Sequence, residues 1–505
     1  MPEDFFSNFN RMLKREWKIA FISAVIIGFL THMFVFTNAL PNHDGILNIY
    51  SEQKKYTSGR FFLGPVSGVG SYFDLPWING LLSMVYLALI AVFLTEFFKL
   101  TKKTSIVLTA GLIVTFPTVA STFSYMFTAD AYMAGFLLGV LAVWMTGKYK
   151  YGFLPASTIV YVSVGIYQAN LTLILTLVTV WMVTELIKNT LYKPLFLLLS
   201  KYMVMTTIGM GLYAVTFKLY QRYEGMTNYQ GLDQVGMSLG NVGEQLREII
   251  DTFKEFLFRG FFTDYPVNLF EILNVLLIVA IVAGLIISII VHKVALARIG
   301  LIVIGFVLLP VFSFFLYFVS PAVSYHMLMV MSLAIIYILP IILYDRMHKP
   351  LLSVQWFSWG TVILAALIIF NFSIISNIAY FNMNLKYEKS YGYTLRILDR
   401  IEQTEGYENA DTLAVIGYPN VETDLGSNTV PQSIPSMTGA MGDIFLSQTY
   451  QFSVMLHHFI GENIEAASNG QLEELQGSRT LEQMDAWPAE SSVRVVDDTV
   501  IVKLR

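Results

Sequence analysis

The sequence predicts an all-α polytopic membrane protein with about eleven transmembrane helices and a small α/β domain at its C-terminus. Three observations predict this class. Of the 505 residues, 55% are hydrophobic and 13% are charged, and the charged share is about half of the ~25% found in soluble domains. The mean hydropathy is +0.59. Apolar runs recur along most of the chain, and a polar tail follows the last of them.

Composition also excludes several kinds of site. The chain has no cysteine, which excludes disulfides, thiolate metal sites and cysteine nucleophiles. The sequence contains no P-loop, no dinucleotide-binding glycine motif and no HExxH or GxSxG motif in a suitable context. We expect no sizeable cytoplasmic domain, so a nucleotide-sugar donor used from inside is disfavoured. We expect no nucleic-acid partner and no cofactor.

Residues 1–18 are expected to form a cytoplasmic amphipathic N-terminus. Within residues 4–17, apolar side chains recur at helical spacing with basic residues between them, and they are Phe5, Phe6, Phe9, Met12 and Leu13. This pattern is typical of a helix lying on the inner membrane surface. The alternative is a simple extension of the first span.

Eleven apolar runs are about long enough to cross the hydrocarbon core, which takes roughly 17–25 residues. They cover residues 19–39, 77–98, 104–121, 131–147, 153–167, 169–187, 195–219, 269–291, 299–319, 327–344 and 354–380. Together, residues 19–380 form the predicted transmembrane domain.

Orientation follows from the basic residues, which concentrate in cytoplasmic turns. Alternate turns contain the basic sets Lys14/Arg15/Lys18, Lys99/Lys102/Lys103, Lys148/Lys150, Lys188/Lys193, Lys293/Arg298 and Arg346/Lys349. The short turns between them, at residues 121–130, 167–170 and 320–326, have no Lys or Arg. We therefore expect a bacterial cytoplasmic membrane protein with its N-terminus in the cytoplasm and its C-terminus outside.

Three segments are expected on the outer side: the loop 40–76, the segment 220–268 and the tail 381–505. In the second, residues 238–258 have apolar side chains on one helical face and charges on the other, typical of a helix in the membrane interface. In the tail, the pattern predicts a strand at 412–416, an acidic helical stretch around 460–476 and a hairpin whose strands are 493–496 and 499–504.

Asp44 is the leading candidate for a catalytic base. An acidic residue at the end of a span is costly unless it is solvated or paired, which favours a functional role. A carboxylate placed there would take the proton of a sugar hydroxyl as a new bond forms. The structural alternative is a turn residue, because Asp-Gly is a common turn pair. His43 beside it has the same two interpretations.

Asp130, at the outer mouth of the fourth span, is the second carboxylate. It would orient a substrate hydroxyl or share a site with Asp44, and the structural alternative is that Thr128 or Asp130 caps the helix. Two outer carboxylates would also suit a divalent metal with oxygen ligands. We favour a site without a metal.

Cationic side chains would serve a phosphate-bearing donor. Arg60 and Arg222 lie on the predicted outer side near span ends, and arginine can bind phosphate oxygens bidentately. A departing phosphodiester needs charge stabilisation more than an acid. Arg60 is favoured because it shares a loop with Asp44. The alternative for each arginine is snorkelling at the interface.

Other polar and aromatic groups gather in the outer turns. His326 would contact phosphate or sugar, or be structural. Gln168 would hydrogen-bond a sugar, or only satisfy its turn. Asp74 and Trp77 precede or begin the second span. Trp77 would stack on a sugar face, although an interfacial tryptophan needs no such role.

Four stretches together resemble the bacterial Gtr-type glucosyltransferase family, which belongs to the GT-C superfamily and includes O-antigen glucosyltransferases. These stretches are Asn42-His43-Asp44-Gly45, Ser58-Gly59-Arg60-Phe61, Asp74 to Gly80, and Phe123 to Tyr132. The resemblance covers roughly residues 15–380. The tail 381–505 is not part of it.

The resemblance implies a GT-C fold and a polyprenyl-phosphate-linked sugar donor. It implies transfer of glucose or a related hexose, outside the membrane, to a cell-surface polysaccharide or related polymer. In GT-C enzymes an acidic residue of the first outer loop commonly acts as the base. Asp44 matches that position, and Asp130 matches a second acidic position at the start of a later span.

The resulting hypothesis is direct displacement with inversion. Asp44 would deprotonate the acceptor, and Arg60, with Arg222, would stabilise the departing polyprenyl phosphate. The main alternative is a flippase or transporter of lipid-linked sugars, which would more naturally place charges at span centres. A polysaccharide polymerase or ligase, and a membrane-anchored binding protein, are further alternatives.

Overall fold

The structure, a computed structural model, describes residues 11, 13–224, 241–320 and 322–505. Most of the predicted inner-surface helix at residues 4–17 lies outside these ranges. So do residues 225–240 of the predicted outer segment. The part of that segment that is described contains a helix at Val242–Phe262, close to the predicted amphipathic stretch 238–258.

The described chain is mostly helical. In the first half the helices are α1 (Arg15–Thr37), α2 (Leu63–Ser67), α3 (Pro76–Phe98), α4 (Lys103–Thr115), α5 (Pro117–Phe123), α6 (Met126–Lys148), α7 (Phe153–Ile166), α8 (Asn170–Ile187) and α9 (Tyr192–Glu224). In the second half they are α10 (Val242–Phe262), α11 (Leu269–His292), α12 (Leu296–Ser313), α13 (Leu316–Val319), α14 (Met331–Tyr337), α15 (Leu339–Arg346), α16 (Leu352–Glu402), α17 (Val430–Ser433), α18 (Thr449–Met455), α19 (Asn469–Gln476) and α20 (Arg479–Glu482).

Nine helical segments of the described residues are long and apolar enough to cross a membrane. They are α1, α3, the consecutive pair α4–α5, α6, α8, α9, α11, α12 and α16. The two other predicted spans are shorter in the structure. One is the 14-residue helix α7, and the other is divided into α14 and α15, of 7 and 8 residues. The protein is a membrane protein, and the number eleven stays a prediction.

Small residues let the helices pack closely, as is usual in membranes. Along the contact between α1 and α3, a Cβ added at Gly28 would overlap Met84, and one at Gly80 would overlap Phe36. Gly135 of α6 likewise leaves room for the Asn170 side chain at the start of α8. An alanine at any of these positions would therefore require the neighbouring side chain to move.

The basic turns meet at one end of the helix bundle. Lys14 donates to both carboxylate oxygens of Glu96 at 2.8 Å, and Lys148 lies 3.5 Å from the same carboxylate. Arg346 lies 3.8 Å from Glu185. Since Glu96 and Glu185 line one cavity, the ends of α3, α6 and α8 are neighbours there. We call this the basic end, and its cytoplasmic location remains the prediction made from charge.

A four-stranded sheet forms the core of the C-terminal domain. Its strands are β1 (Thr412–Ile416), β2 (Glu465–Ala466), β3 (Val493–Val496) and β4 (Thr499–Lys503), in the order β2-β1-β4-β3. β1 is parallel to β2 and β4, and β3 pairs antiparallel with β4. The predicted strand and hairpin therefore occur at the expected places. The acidic stretch is helical only over α19.

Helix α16 joins the two parts of the protein. Its 51 residues correspond to a length of about 75 Å, whereas a hydrocarbon core is about 30 Å thick. The helix continues across residue 380, where the sequence indicated the end of the transmembrane domain. Its last turns place Ile397 and Ile401 in the core of the C-terminal domain.

Residues 430–442, which we call the strap, run from the C-terminal domain across the helix bundle. Side chains of the bundle donate to strap carbonyls. Arg259 donates to Pro431, and Asn382 donates to Ala440 and Gly442 at 2.6 and 2.9 Å. The strap is therefore held mainly through its backbone.

Asp443, directly after the strap, fixes its far end. Its carboxylate accepts hydrogen bonds from Lys389 at 2.6 Å, from Thr423 and from Ser427. Partial burial raises the pKa of Asp443, but the hydrogen bonds from these donors outweigh burial and lower the pKa to about 2. The Asp443 carboxylate is therefore ionised in the folded protein at neutral pH.

Candidate active site

The turn that contains Asp44 is held by its neighbour Asn42. Asn42 Oδ1 accepts hydrogen bonds from the backbone N–H of Asp44 at 2.9 Å and of Gly45 at 2.7 Å. Its Nδ2 donates to the Ser124 carbonyl at 2.6 Å. This is the Asx-turn chemistry that favours asparagine ahead of a turn. These hydrogen bonds connect the loop 40–76 to the junction between α5 and α6.

Asp44 and His43 are both partly exposed. The Asp44 side chain is 50% exposed and that of His43 is 38% exposed, and Asp44 Oδ2 lies 3.7 Å from His43 Nε2. Burial lowers the pKa of His43, with Lys386 acting in the same direction and Asp44 against it. The imidazole is therefore neutral at neutral pH. Its ring meets that of Tyr125 edge to face, with 6.1 Å between centroids.

Arg60 lines the wall of a cavity of about 100 Å³ between α7, α8, α9 and α13. Its guanidinium donates to the Tyr132 hydroxyl at 3.0 Å and lies 5.0 Å from the Tyr167 ring centroid. The residues lining the cavity also include Gln168, His326, Tyr213 and seven aliphatic or methionine side chains, which are Val164, Leu171, Met210, Leu316, Val319, Val323 and Met329. Among the described residues that line it, Arg60 is the only one charged at neutral pH.

Gly59 explains how Arg60 reaches this position. The glycine has a φ of +70°, a conformation that side chains rarely adopt. A Cβ there would also overlap the Tyr213 hydroxyl. Gln168 fixes the same turn, because its Nε2 donates to the Ser58 carbonyl at 2.6 Å and to the Tyr213 hydroxyl at 3.0 Å.

His326 lines two cavities. It lines the Arg60 cavity and a smaller one of about 60 Å³ between α10 and the strap. Thr438 of the strap lines the smaller cavity and accepts a hydrogen bond from Tyr125 at 3.1 Å. Since Tyr125 also contacts His43, the residues around Arg60 and Asp44 are joined through the strap. Burial lowers the pKa of His326.

In the described part of the chain, Asp130 does not line the Arg60 cavity and does not contact the Asp44 turn. It is 1% exposed, and its Oδ1 accepts the backbone N–H of Ala131 at 2.9 Å. Oδ2 has no hydrogen-bond partner among the described residues. Oδ2 and Asn79 Oδ1 both lie within 3 Å of the point that a Cβ of Gly70 would occupy. No contact in the described structure joins Asp130 to Asp44, so the shared carboxylate site stays a prediction.

The remaining predicted residues are spread around the end of the bundle opposite the basic end. Asp74 has one buried carboxylate oxygen without a hydrogen-bond partner among the described residues, and burial raises its pKa to about 7. Trp77 is 48% exposed and packs against Phe29 with 6.0 Å between ring centroids. Arg222 is exposed near the end of α9 and does not line the Arg60 cavity.

Sequence reasoning missed several contributors. Tyr132, Tyr167 and Tyr213 surround Arg60 and Gln168, but they lie on separate elements and no pattern in the sequence links them. The strap has no periodic pattern that would reveal it. No group of three or more His, Asp or Glu side chains that would hold a metal ion occurs among the described residues.

The comparison with known families identifies the chain. The family model described as glucosyl transferase GtrII matches residues 33–339, more than half of the sequence. The chain belongs to the GtrII glucosyl transferase family. No curated protein matches the chain, and neither does any solved structure. The predicted Gtr-type relationship is confirmed, and the protein is a glycosyltransferase of this family.

The matched region of this glucosyltransferase contains both cavities' helical walls and the first outer loop. Asp44, Arg60, Asp130, Gln168 and His326 all lie inside it. The strap and the C-terminal domain lie outside it. Thr438 of the strap thus contacts Tyr125 of the matched region, whereas the contact between Asn382 and the strap lies wholly outside the match.

Proposed function

We propose that this protein transfers glucose or a related hexose from a polyprenyl-phosphate donor to a cell-surface polysaccharide or related polymer. Transfer takes place on the outer face of the bacterial cytoplasmic membrane, in a GT-C type enzyme. Membership of a glucosyltransferase family supports the sugar chemistry. The single structural observation that most supports the donor is the cavity around Arg60.

The Arg60 cavity suits an amphiphilic donor. Its aliphatic walls match the first isoprene units of a polyprenyl chain, and Arg60 supplies positive charge at the polar rim. Tyr132 and Tyr167 restrain the guanidinium, so that less side-chain entropy is lost when it binds a phosphate. Arg60 would stabilise the negative charge that develops on the departing phosphate. Because an arginine meets this charge, we expect transfer to proceed in the presence of EDTA.

Asp44 acts as the general base. The half-exposed carboxylate is accessible to a polymer hydroxyl approaching from outside. The proton of the acceptor hydroxyl passes to Asp44 as the acceptor oxygen bonds to the anomeric carbon. On the opposite face, the bond from that carbon to the phosphate oxygen breaks. This single displacement inverts the anomeric configuration.

The other polar groups would bind the two substrates. His326 borders both the donor cavity and the space under the strap, which suits a contact to the transferred sugar or its phosphate. Gln168 shapes the donor cavity through the Ser58 turn. Asp130 and Asp74 would position hydroxyl groups from the loop side, Trp77 and Arg222 would contact lipid or donor at the interface, and His43 would contact the acceptor.

Asp44→Asn tests the proposal. Purified protein in lipid is incubated with radiolabelled polyprenyl-phosphate glucose and a cell-envelope polymer fraction. We expect label in the polymer with wild type and a loss of about 10²–10⁴-fold in the variant, the usual contribution of a general base. The matched control is Glu52→Gln, which removes a carboxylate from the same outer loop.

Two results would contradict the proposal. Full turnover by the Asp44→Asn protein would remove Asp44 from the reaction. If wild-type protein moved the labelled donor between leaflets without transfer to any polymer, the flippase alternative would replace the transferase.

A further inference from the structure

A second cavity lies at the basic end, far along the helices from Asp44 and Arg60. Its volume is about 420 Å³, within the range of about 300–1,000 Å³ that is typical of small-molecule sites. The ends of α3, α6 and α8 and the start of α9 form its walls. The lining side chains include Glu96, Lys99, Lys148, Glu185, Leu198 and Tyr202. The proposed transfer reaction uses none of these residues.

The charges around this cavity leave it positive. Glu96 is already bound by Lys14 at 2.8 Å and by the Trp17 indole at 2.9 Å. Glu185 is bound by Lys188 at 2.7 Å and lies 3.8 Å from Arg346. Lys148 also lies 3.5 Å from Glu96, and Lys99 lines the cavity as well. The cations around the cavity therefore outnumber its two carboxylates.

The lowered pKa of Lys188 is consistent with a positive charge around the cavity. Burial lowers the pKa of Lys188, and the nearby positive charges of Arg346 and Lys99 lower it further, against the effect of Glu185. Several cations therefore share this end of the protein. A negatively charged ligand would be attracted to it.

A buried donor faces the same cavity. Tyr202 is 2% exposed, and its hydroxyl has no hydrogen-bond partner among the described residues. The hydroxyl lies beside Gly147, where a Cβ would come within 2.7 Å of it. A buried hydroxyl without a partner is destabilising, and an acceptor atom on a bound molecule would satisfy it.

Exposed apolar side chains are direct neighbours, along the chain, of the lining residues Thr190, Leu195 and Leu198. Leu191, Phe196 and Leu197 at the start of α9 are 73%, 50% and 58% exposed, and a membrane would cover them. A ligand with a charged head in the cavity would lay its hydrocarbon chain over these side chains. Free anions would gain nothing from this surface.

We propose that the cavity at the basic end binds the phosphate-bearing head of a membrane lipid. Lys99 and Lys148 would contact the phosphate, and the Tyr202 hydroxyl would donate to a head-group oxygen. Two sources provide this chemistry, a bulk phospholipid and a polyprenyl phosphate. The site is separate from the Arg60 cavity and does not depend on the proposed transfer reaction.

Lipid retention by the purified full chain tests this site. Native mass spectrometry measures the binding of phosphatidylglycerol, of polyprenyl phosphate and of diacylglycerol, which lacks phosphate. We expect wild type to bind at least one phosphate lipid about tenfold more tightly than diacylglycerol, and Lys99→Gln to lose about that factor, as for one charged hydrogen bond. The lipid that binds more tightly identifies the source.

Three variants make the test decisive. Leu198→Trp fills the cavity without changing its charge and should also lose the lipid, whereas Lys103→Gln removes an exposed lysine outside the cavity and should keep it. Arg60→Gln removes the charge of the proposed donor cavity, and in that background Lys99→Gln should still lower the binding of a phosphate lipid. Equal retention by all the proteins, or a loss confined to Arg60→Gln, would overturn the proposal.

Discussion

The space between Asp130 and Asn79 contains two acceptor oxygens facing the Gly70 backbone. Neither oxygen has a hydrogen-bond partner among the described residues. Replacing Asp130 by asparagine supplies an NH₂ group that can donate across this space. We expect Asp130→Asn to unfold at the same temperature as wild type or higher.

The matching variant is Asp130→Ala, which leaves a void and an unsatisfied amide and should cost about 1–3 kcal/mol. Thermal unfolding of the purified protein in detergent distinguishes them. If the asparagine variant unfolded earlier than the alanine variant, the two oxygens would not face each other as described.

Asp74 gives a prediction for pH. Burial raises its pKa to about 7, so the folded protein holds a proton that the unfolded chain, with a carboxyl pKa of about 4, releases. The stability that this proton contributes is complete below about pH 4 and is lost as the pH rises through about 7. Asp74→Asn should therefore raise the unfolding temperature at pH 8 and change it little at pH 4. An equal change at both pH values would contradict this assignment.

Several residues of the candidate site were predictable from local chemistry. The Asn-His-Asp-Gly turn and the Ser-Gly-Arg turn could be predicted, because asparagine and glycine between apolar runs are typical of turns. Arg60, Gln168 and His326 meet in one cavity because all three lie in turns at the same membrane end. The burial of the Asp130 side chain could not be predicted, because it depends on how α6 is rotated about its axis against α3. Polar residues on both faces of the span do not determine that rotation.

The strap is the element that connects the C-terminal domain to the Asp44 turn. A Cβ at Gly439 would overlap Ser124 Oγ and come within 3.1 Å of Asn42 Nδ2. Asn42 in turn holds the Asp44 turn. Gly439→Ala should therefore displace Asp44 and lower kcat/KM by about tenfold or more, since small shifts of catalytic groups are costly.

Gly470→Ala is the matched control for this variant. Gly470 lies in α19 with open space around it, and alanine there should leave transfer unchanged and favour the helix slightly. Equal activity of the Gly439 and Gly470 variants would show that the strap does not restrain the Asp44 turn.

Elements with a periodic hydrophobic pattern lie where the sequence predicted them, whereas irregular elements were not predicted. The long spans, the strand β1 and the β3–β4 hairpin lie where their hydrophobic periods predicted them. The 327–344 run was predicted as one span because it is continuously apolar, but Pro340 lies near the start of α15 and the run is divided there. The two-residue strand β2 pairs only through tertiary contacts and has no signal of its own.

At the scale of the whole molecule, Ile46 connects the first outer loop to the C-terminal domain. It follows Asp44 by two residues, is 0% exposed and belongs to the core that contains Phe452 and Val500. Ile46→Ala should cost about 2–5 kcal/mol of that packing. We expect faster proteolytic release of the C-terminal domain, together with reduced transfer.

Leu47→Ala provides the control, because Leu47 is the next residue and is 39% exposed. The contradicting result would be a C-terminal domain that resists protease equally in both variants. The sequence could not predict this connection, since an isoleucine beside an Asp-Gly turn resembles any interfacial apolar residue.

Helix α16 connects the membrane-spanning part of the protein rigidly to the C-terminal domain. At about 75 Å, a change of 5° in its inclination moves the far end by about 7 Å. Bilayers of different thickness change the inclination of spanning helices. Because Ile46 and the strap fasten that far end to the Asp44 loop, a thinner or thicker membrane would pull on the loop itself. The rate of sugar transfer in this protein should therefore depend on lipid chain length.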